Sequence, residues 1–387
     1  MASRFYLVIL VVGCITTGCM NSLFTKYQDN QCVHNCSNPN ENKHETFNQP
    51  ALQTLQMFIG ELSCFLVYYM VYKSRFGKGN GYNPLNEPAD EDLSIFDSFK
   101  LALPSICDMT ATTLLNVGLI YTPVSIYQMT RGSIVLFVAI LSVLFLKRKI
   151  TKLEWISLII VTLGVVIVGL SGSKSSESDA AQTMAKKDAS ALVVFGISLI
   201  VLAALFQAIQ FVVEEHILSK RSIVPLKLVY FEGFYGATIL LTIMIILNFV
   251  IGAISPPKKF VNSPFNLAES FSQLFGSREI LISSLFIMVS IASFNFFGIS
   301  LTHELSATAR STIDTCRTLS VWLLAIFMGW ESFHFLQFVG FVVLVFGTLC
   351  FNGVLNPEEW SFVPHSLKSN GPYERLIDVV DEPIERM

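Results

Sequence analysis

Apolar residues recur in runs of about twenty along most of the chain, separated by short polar stretches. A helix rises 1.5 Å per residue, so a hydrocarbon core of about 30 Å takes roughly 20 residues to cross. Read this way, the runs predict ten membrane-spanning helices, over 4–25, 51–72, 101–121, 123–146, 153–171, 189–213, 226–250, 279–300, 304–328 and 332–355. The segment 101–146 is nearly continuous, and Thr122–Pro123 divides it, because proline lacks an N–H and disfavours helix at the preceding residue. Leu301–His303 makes a similarly short turn. The first run follows Arg4 in the outline of a signal peptide, but no convincing small-residue cleavage site follows it, and it is read as a retained span.

Between the runs lie an Asn-rich loop over 26–50, a Gly/Pro stretch with Asp90–Glu91–Asp92 over 73–99, and a Ser-rich linker over 172–188. A Pro-containing loop covers 251–278, and a polar tail follows Asn356. Composition agrees with a polytopic membrane protein. Of 387 residues only 14% are charged, 52% are hydrophobic, and the mean hydropathy is +0.57. A soluble domain carries about 25% charge, so this chain cannot clothe a water-facing surface of ordinary size. A net charge of −3 gives no electrostatic footprint for nucleic acid.

The basic residues set an orientation. Lys73, Arg75 and Lys78, then Lys147, Arg148, Lys149 and Lys152, then Lys220, Arg221 and Lys227 fall on one side, against Lys26, Lys43, Lys174, Lys186, Lys187, Lys258, Lys259 and Arg278 on the other, a modest bias that favours both termini in the cytosol. The 26–50 loop then lies on the opposite side with the sequon Asn35–Cys36–Ser37, a glycosylation acceptor by pattern. Its CVHNC run (Cys32–Cys36, beside His34 and His44) is open to a disulfide, a metal site or no special role, and the spacing is a weak signal for metal. The remaining cysteines sit in apolar runs as small hydrophobes.

The halves echo one another. Asn116, Gly118, Thr122, Trp155 and Gly164 are matched in order by Asn295, Gly298, Thr302, Phe338 and Gly347. Five helices per half is an odd number, which inverts the second half across the membrane. Inverted-repeat transporters are built that way, with substrate held at the repeat interface. The expected organisation is a first repeat over 1–171, a linker over 172–188, a second repeat over 189–355 and a cytosolic tail over 356–387.

Ionisable groups at membrane depth are costly and mark interior paths. The spans hold Glu61, Asp108, Gln128, Arg131, Gln207, Gln210, Glu214 and Glu232. Glu214 is equally readable as a solvated residue near the cytosolic interface. Arg310, Asp314 and Arg317 stand at i, i+4 and i+7, on one helical stripe. They either pair within the helix or leave an arginine unmatched for an anionic substrate, since guanidinium matches carboxylate and phosphate with a fork of donors. Glu61 and Asp108 are candidate proton sites or partners of those arginines. Glycines 132, 164, 169, 340 and 347 permit close helix approach. No nucleophile elbow, zincin, Walker A or Rossmann motif is present, and no cofactor is implied.

The stretches TKYQDN (25–30), NQPALQTLQMFIGELSC (48–64), LPSICDMTATTLLNVGL (103–119), YQMTRGSIVLF (127–137) and ISLTHELSATARSTIDTCRT (299–318) resemble the drug/metabolite transporter superfamily. Within it they are similar to solute carrier family 35, F subgroup, especially its lysosomal and mitochondrial member. The resemblance covers roughly residues 5–355. It implies an all-α protein of ten transmembrane helices in two inverted five-helix repeats around a central cavity. It carries over Gln128 and Arg131 of QMTRG, Glu304, Arg310, Asp314 and Arg317 of the ELSA stretch, and Glu61 and Asp108 of the GE and CDMT segments as substrate-binding candidates.

The function expected is secondary transport of a small organic solute, anionic or amphoteric, by alternating access, with protons as a candidate coupling ion. The alternatives are a non-transporting scaffold or regulator, and a cation or drug exporter of the same fold. Tyr373–Leu376 has the Tyr-x-x-apolar form of an endosomal or lysosomal sorting signal, which points to lysosome or another endomembrane, with a mitochondrial location as the alternative the resemblance leaves open.

Overall fold

The computed structural model describes residues 4–34, 36, 45–76, 95–122, 124–147, 150–179, 185–221, 223–254, 266–329 and 335–351, with 355, 360 and 364. Asn35 of the sequon and the Tyr373–Leu376 motif lie outside these residues. Thirteen α-helices are described: α1 (Arg4–Asp29), α2 (Pro50–Phe76), α3 (Ile95–Lys100), α4 (Ala102–Tyr121), α5 (Val124–Arg131), α6 (Ile134–Leu146) and α7 (Lys152–Asp179). The second half supplies α8 (Ala185–Lys220), α9 (Pro225–Ile254), α10 (Leu267–Gly276), α11 (Arg278–Glu304), α12 (Ala307–Phe327) and α13 (Phe335–Phe351). A small antiparallel hairpin joins β1 (Cys32–His34) to β2 (Glu45–Thr46).

Each of the ten apolar runs is helical over most of its length. Among the described residues, seven helical segments are long and apolar enough to cross a membrane: Phe5–Asp29, Pro50–Met70, Ser98–Tyr121, Met129–Leu146, Ala191–Lys220, Pro225–Ile254 and Arg278–Glu304. The short apolar helix α13 joins them. α12 stands apart because Arg310, Asp314 and Arg317 all lie within its 21 residues.

Local chemistry explains the element ends. Pro50 and Pro225 open α2 and α9, where the missing N–H costs nothing. Thr151 and Glu154 form a reciprocal capping box at the start of α7, with Thr151 N–H donating to Glu154 and Glu154 N–H to Thr151 Oγ1. Ser306 caps α12 by accepting from Ala309 N–H at 3.1 Å, so the turn expected at 301–303 falls instead at Leu305–Ser306. The fourth apolar run contains a second break, at Gly132–Ser133, bridged by tight i→i−3 bonds to Met129 and Thr130. The linker expected over 172–188 is helical at both ends, with α7 running to Asp179 and α8 starting at Ala185.

The chain divides into two compact units, each drawing helices from both halves of the sequence. One contains the start of α1, the later part of α4, α5 to α8, the last turn of α11, α12 and α13. Its core packs Ile134, Val135, Val138 and Ala139 of α6 against Leu158, Ala204, Ala208, Phe211, Ala307 and Phe351. Trp322 is buried with Met129, Val168 and Phe341. α7 lies against α13 backbone to backbone: a Cβ on Gly164 would stand 2.7 Å from Leu344 N, and one on Gly347 2.9 Å from Val161 N.

The other unit contains the rest of α1, the hairpin, α2, α3, the start of α4, α9, α10 and most of α11. Phe47, beside β2, is buried with Leu52, Leu55, Phe58, Leu240, Met244, Leu274 and Ile280. A carboxamide network ties the end of α1 to α2 and α11. Gln28 donates to Ser284 Oγ at 2.7 Å and to Ile280 O, while Gln53 donates to Gln28 Oε1 and Asp29 Oδ1. Cys32 and Cys36 form a disulfide. The spacing of three intervening residues thus closes a small loop.

Candidate functional site

The first unit holds a buried charged cluster built from three elements. α5 ends on Arg131, α8 presents Gln207, Gln210, Phe211, Glu214 and Glu215, and α12 presents Arg310, Asp314 and Arg317. The stripe predicted on α12 exists, and all three of its charged residues are 2% exposed. Burial of an unpaired charge is prohibitive, so each must find an opposite charge.

Arg317 Nε donates to Asp314 Oδ1 at 2.7 Å, an i,i+3 pair within the helix. Arg310 does not use Asp314 as its ion-pair partner. Its Nη1 donates to Glu214 on α8, and its guanidinium lies 3.9 Å over the Phe211 ring. Glu214 is wholly buried, so the reading of it as a solvated interfacial residue is corrected. The next residue, Glu215, accepts from Ala307 N–H at 3.0 Å, placing a carboxylate at the start of α12, where the free N–H groups favour negative charge.

Arg131 differs. It is half-buried, and its only hydrogen-bond partner among the described residues is Gln207 Oε1, at 3.5 Å. Its Nε is buried and makes no hydrogen bond. Asp314 lies within its electrostatic reach, as it does for Arg310, but no described carboxylate forms a salt bridge with Arg131. The cation without a carboxylate of its own is therefore on α5, not on the stripe.

The other candidates fall elsewhere. Glu304 is exposed at the end of α11, 3.4 Å from His303 Nδ1, outside the cluster. The Gln128 side chain lies outside the described residues. In the second unit Glu61 is fully buried on α2 and accepts a hydrogen bond from Asn295 on α11. A Cβ on Gly233 of α9 would meet Leu62 N and lie 2.8 Å from Glu61 Cβ, so α9 and α2 touch where Glu61 and the buried Glu232 reside. Asp108, on the part of α4 in this unit, is also buried.

Sequence reasoning missed Phe211 and Glu215. Phe211 looks like one more apolar residue of a span. Glu215 stands beside Glu214 at the polar end of α8, and an acidic pair closing an apolar helix was the one available signal.

Comparison with known proteins accords with this architecture. A family model described as "Nucleotide-sugar transporter" matches residues 36–254. An uncharacterized protein of Schizosaccharomyces pombe is 38% identical over 90% of this chain and 98% of its own length. Solute carrier family 35 member F6 of Homo sapiens is 33% identical over 92% of this chain and 91% of its own. A solved crystal structure superposes on 92% of this chain and 100% of its own with a TM-score of 0.50 at 12% identity, a likeness of fold alone. With a family match over more than half its length and near-full-length relatives, the chain belongs to the drug/metabolite transporter superfamily, among the nucleotide-sugar-transporter-like proteins that include solute carrier family 35 member F6.

Proposed function

We propose that this membrane transporter moves a small organic solute, anionic or amphoteric, by alternating access, and that Arg131 is the cation that meets it. The observation that carries this reading is the charge arrangement of the first unit. Arg310 and Arg317 each hold a carboxylate and are buried, while Arg131 is half-buried against a carboxamide with no salt-bridge partner among the described residues. A guanidinium in that state favours a carboxylate or phosphate. The same two neutralised arginines are what a cation or drug exporter of this fold would need, and the test below separates the two.

Helix pairing supports ten spans in two inverted repeats. Counting the spans in order, the second packs on the seventh (α2 on α9), the fifth on the tenth (α7 on α13), and the fourth on the ninth (α5 and α6 on α12). The third approaches the sixth through Gly118 and Gly196, and the first meets the eighth through Gln28–Ser284 and Phe24–Phe286. Exchanging the halves maps these five pairings onto one another, while the packing of α6 and α5 on α8 and of α7 on α8 falls outside the set. Cytosolic termini, an endomembrane location and proton coupling through Glu61 or Asp108 complete the proposal. They rest on loop charge, the tail motif and burial respectively.

Reconstituted proteoliposomes test it. Wild type should accumulate members of a panel of labelled anionic and zwitterionic solutes. Arg131→Gln should lose that uptake while melting like wild type. Uptake of organic cations alone would support the exporter, and no flux across the panel would leave a scaffold as the better reading.

A further inference from the structure

The geometry points to Arg310 as a positioning residue that locks α12 to α8, not as a contact for cargo; the inference rests on the transport reading above. Arg310 is closed to a solute by burial, although its Nε, like that of Arg131, makes no hydrogen bond. Nη1 is bound to Glu214, the Phe211 ring covers the guanidinium plane at 3.9 Å, and the side chain is 2% exposed. One residue along, Glu215 holds the first amide of the same helix. Two successive carboxylates of α8 thus grip the first turn of α12, one by side chain and one by backbone. What that grip sets is the placement of the residues further along α12. Asp314 and Arg317 bond to each other, and Asp314 lies within electrostatic reach of Arg131. Glu214 and Arg310 therefore act on the cargo only through the height and rotation of α12 relative to α5. The Arg310–Glu214 pair carries no net charge into the site, and the cation presented to an anion is Arg131.

A substrate-binding arginine and a positioning arginine respond differently to removal of the partner. Deleting one member of a buried pair strands the other charge. Replacing both with apolar side chains of similar size removes the penalty and keeps the packing. Proteoliposomes carrying the full chain would be assayed for uptake of labelled lactate, glutamate and uridine monophosphate, with a thermal melt of each purified variant. Arg310→Met and Glu214→Met alone should each lower the melting temperature and cut uptake by about tenfold or more. Arg310→Met with Glu214→Met should restore both, with KM near the wild-type value. Glu214→Asp keeps the charge but draws α12 closer by one methylene; it should raise KM several-fold with the melting temperature almost unmoved, which a merely structural role would not do.

Labelling with a membrane-impermeant methanethiosulfonate gives a readout free of transport. Arg131→Cys should react, and Arg310→Cys in a Glu214→Met background should react no faster than the wild-type cysteines. The inference is overturned if the double variant recovers its melt but not its uptake, if Glu214→Asp moves the melt and KM together, or if position 310 labels as fast as 131. Should wild type move none of the three probes, the transport reading fails for these anions and the labelling rates still decide the role of Arg310.

Discussion

Gly164 tests the packing on which the first unit depends. A Cβ there would stand 2.7 Å from Leu344 N and 2.8 Å from Leu344 Cα, where ordinary contact begins at 3.4 Å. The obstacle is backbone, so no rotamer change relieves it, and α7 and α13 must part by about 0.7 Å to admit even one methyl. That movement would also loosen the contact at Gly347, on the same pair of helices. Over-packing of this kind costs about 1–3 kcal/mol. For Gly164→Ala the better helix propensity of alanine returns up to about 1 kcal/mol, so the net loss is about 0–2 kcal/mol. Gly164→Leu adds three further carbons with no space to receive them, and the loss should exceed about 3 kcal/mol. Gly276, at the end of α10, has nothing within 4 Å of its hypothetical Cβ, so Gly276→Ala should melt like wild type. The assay is thermal unfolding of purified protein in one detergent, followed by the soluble fraction after heating. A Gly164→Leu protein with a wild-type melt would refute the close α7–α13 contact.

Two further outcomes follow from the second unit. Gln28→Leu removes the donor to Ser284 and the acceptor of Gln53 in a fully buried network, and should cost about 1–3 kcal/mol in the same melt. Cys36→Ser opens the five-residue loop closed with Cys32; the chain-entropy estimate for so short a loop is about 2 kcal/mol. Alkylation before and after reduction, read by intact mass, should count two extra thiols in wild type and one fewer than that reduced total in the variant.

The helices were legible because membrane spans announce themselves by length and apolarity alone. Thr122–Pro123 was legible as a division for a local reason, and helix does stop at Tyr121 and resume at Val124. The break at Gly132–Ser133 was not, because a single Gly–Ser pair inside an apolar run is equally consistent with an unbroken helix. α10 was read as loop because its ten residues are too short and too mixed to signal a span. In the site, spacing alone placed Arg310, Asp314 and Arg317 on one face. It did not supply the partner of Arg310, since Glu214 lies 96 residues away and pairing at that range depends on how α8 packs against α12. The same range hid the bond from Glu215 to Ala307, and it shifted the unmatched cation from the stripe to Arg131.

The Arg310–Glu214 bond also bears on how the protein is made. Charged residues near the middle of a helix resist entry into lipid by about 2.5–3.5 kcal/mol each, so Asp314 and Arg317 alone oppose insertion of α12 by about 5–7 kcal/mol. Asp314 and Arg317 bond to each other within the helix and so relieve part of that cost themselves, whereas Arg310 is relieved only by Glu214, which is synthesised well before α12 emerges. For the pair to form during synthesis, α8 has to remain near the insertion machinery until α12 arrives. A chain lacking Glu214 but keeping Arg310 would therefore be inserted less efficiently, and its yield in the membrane should fall and be restored when Arg310 is replaced as well.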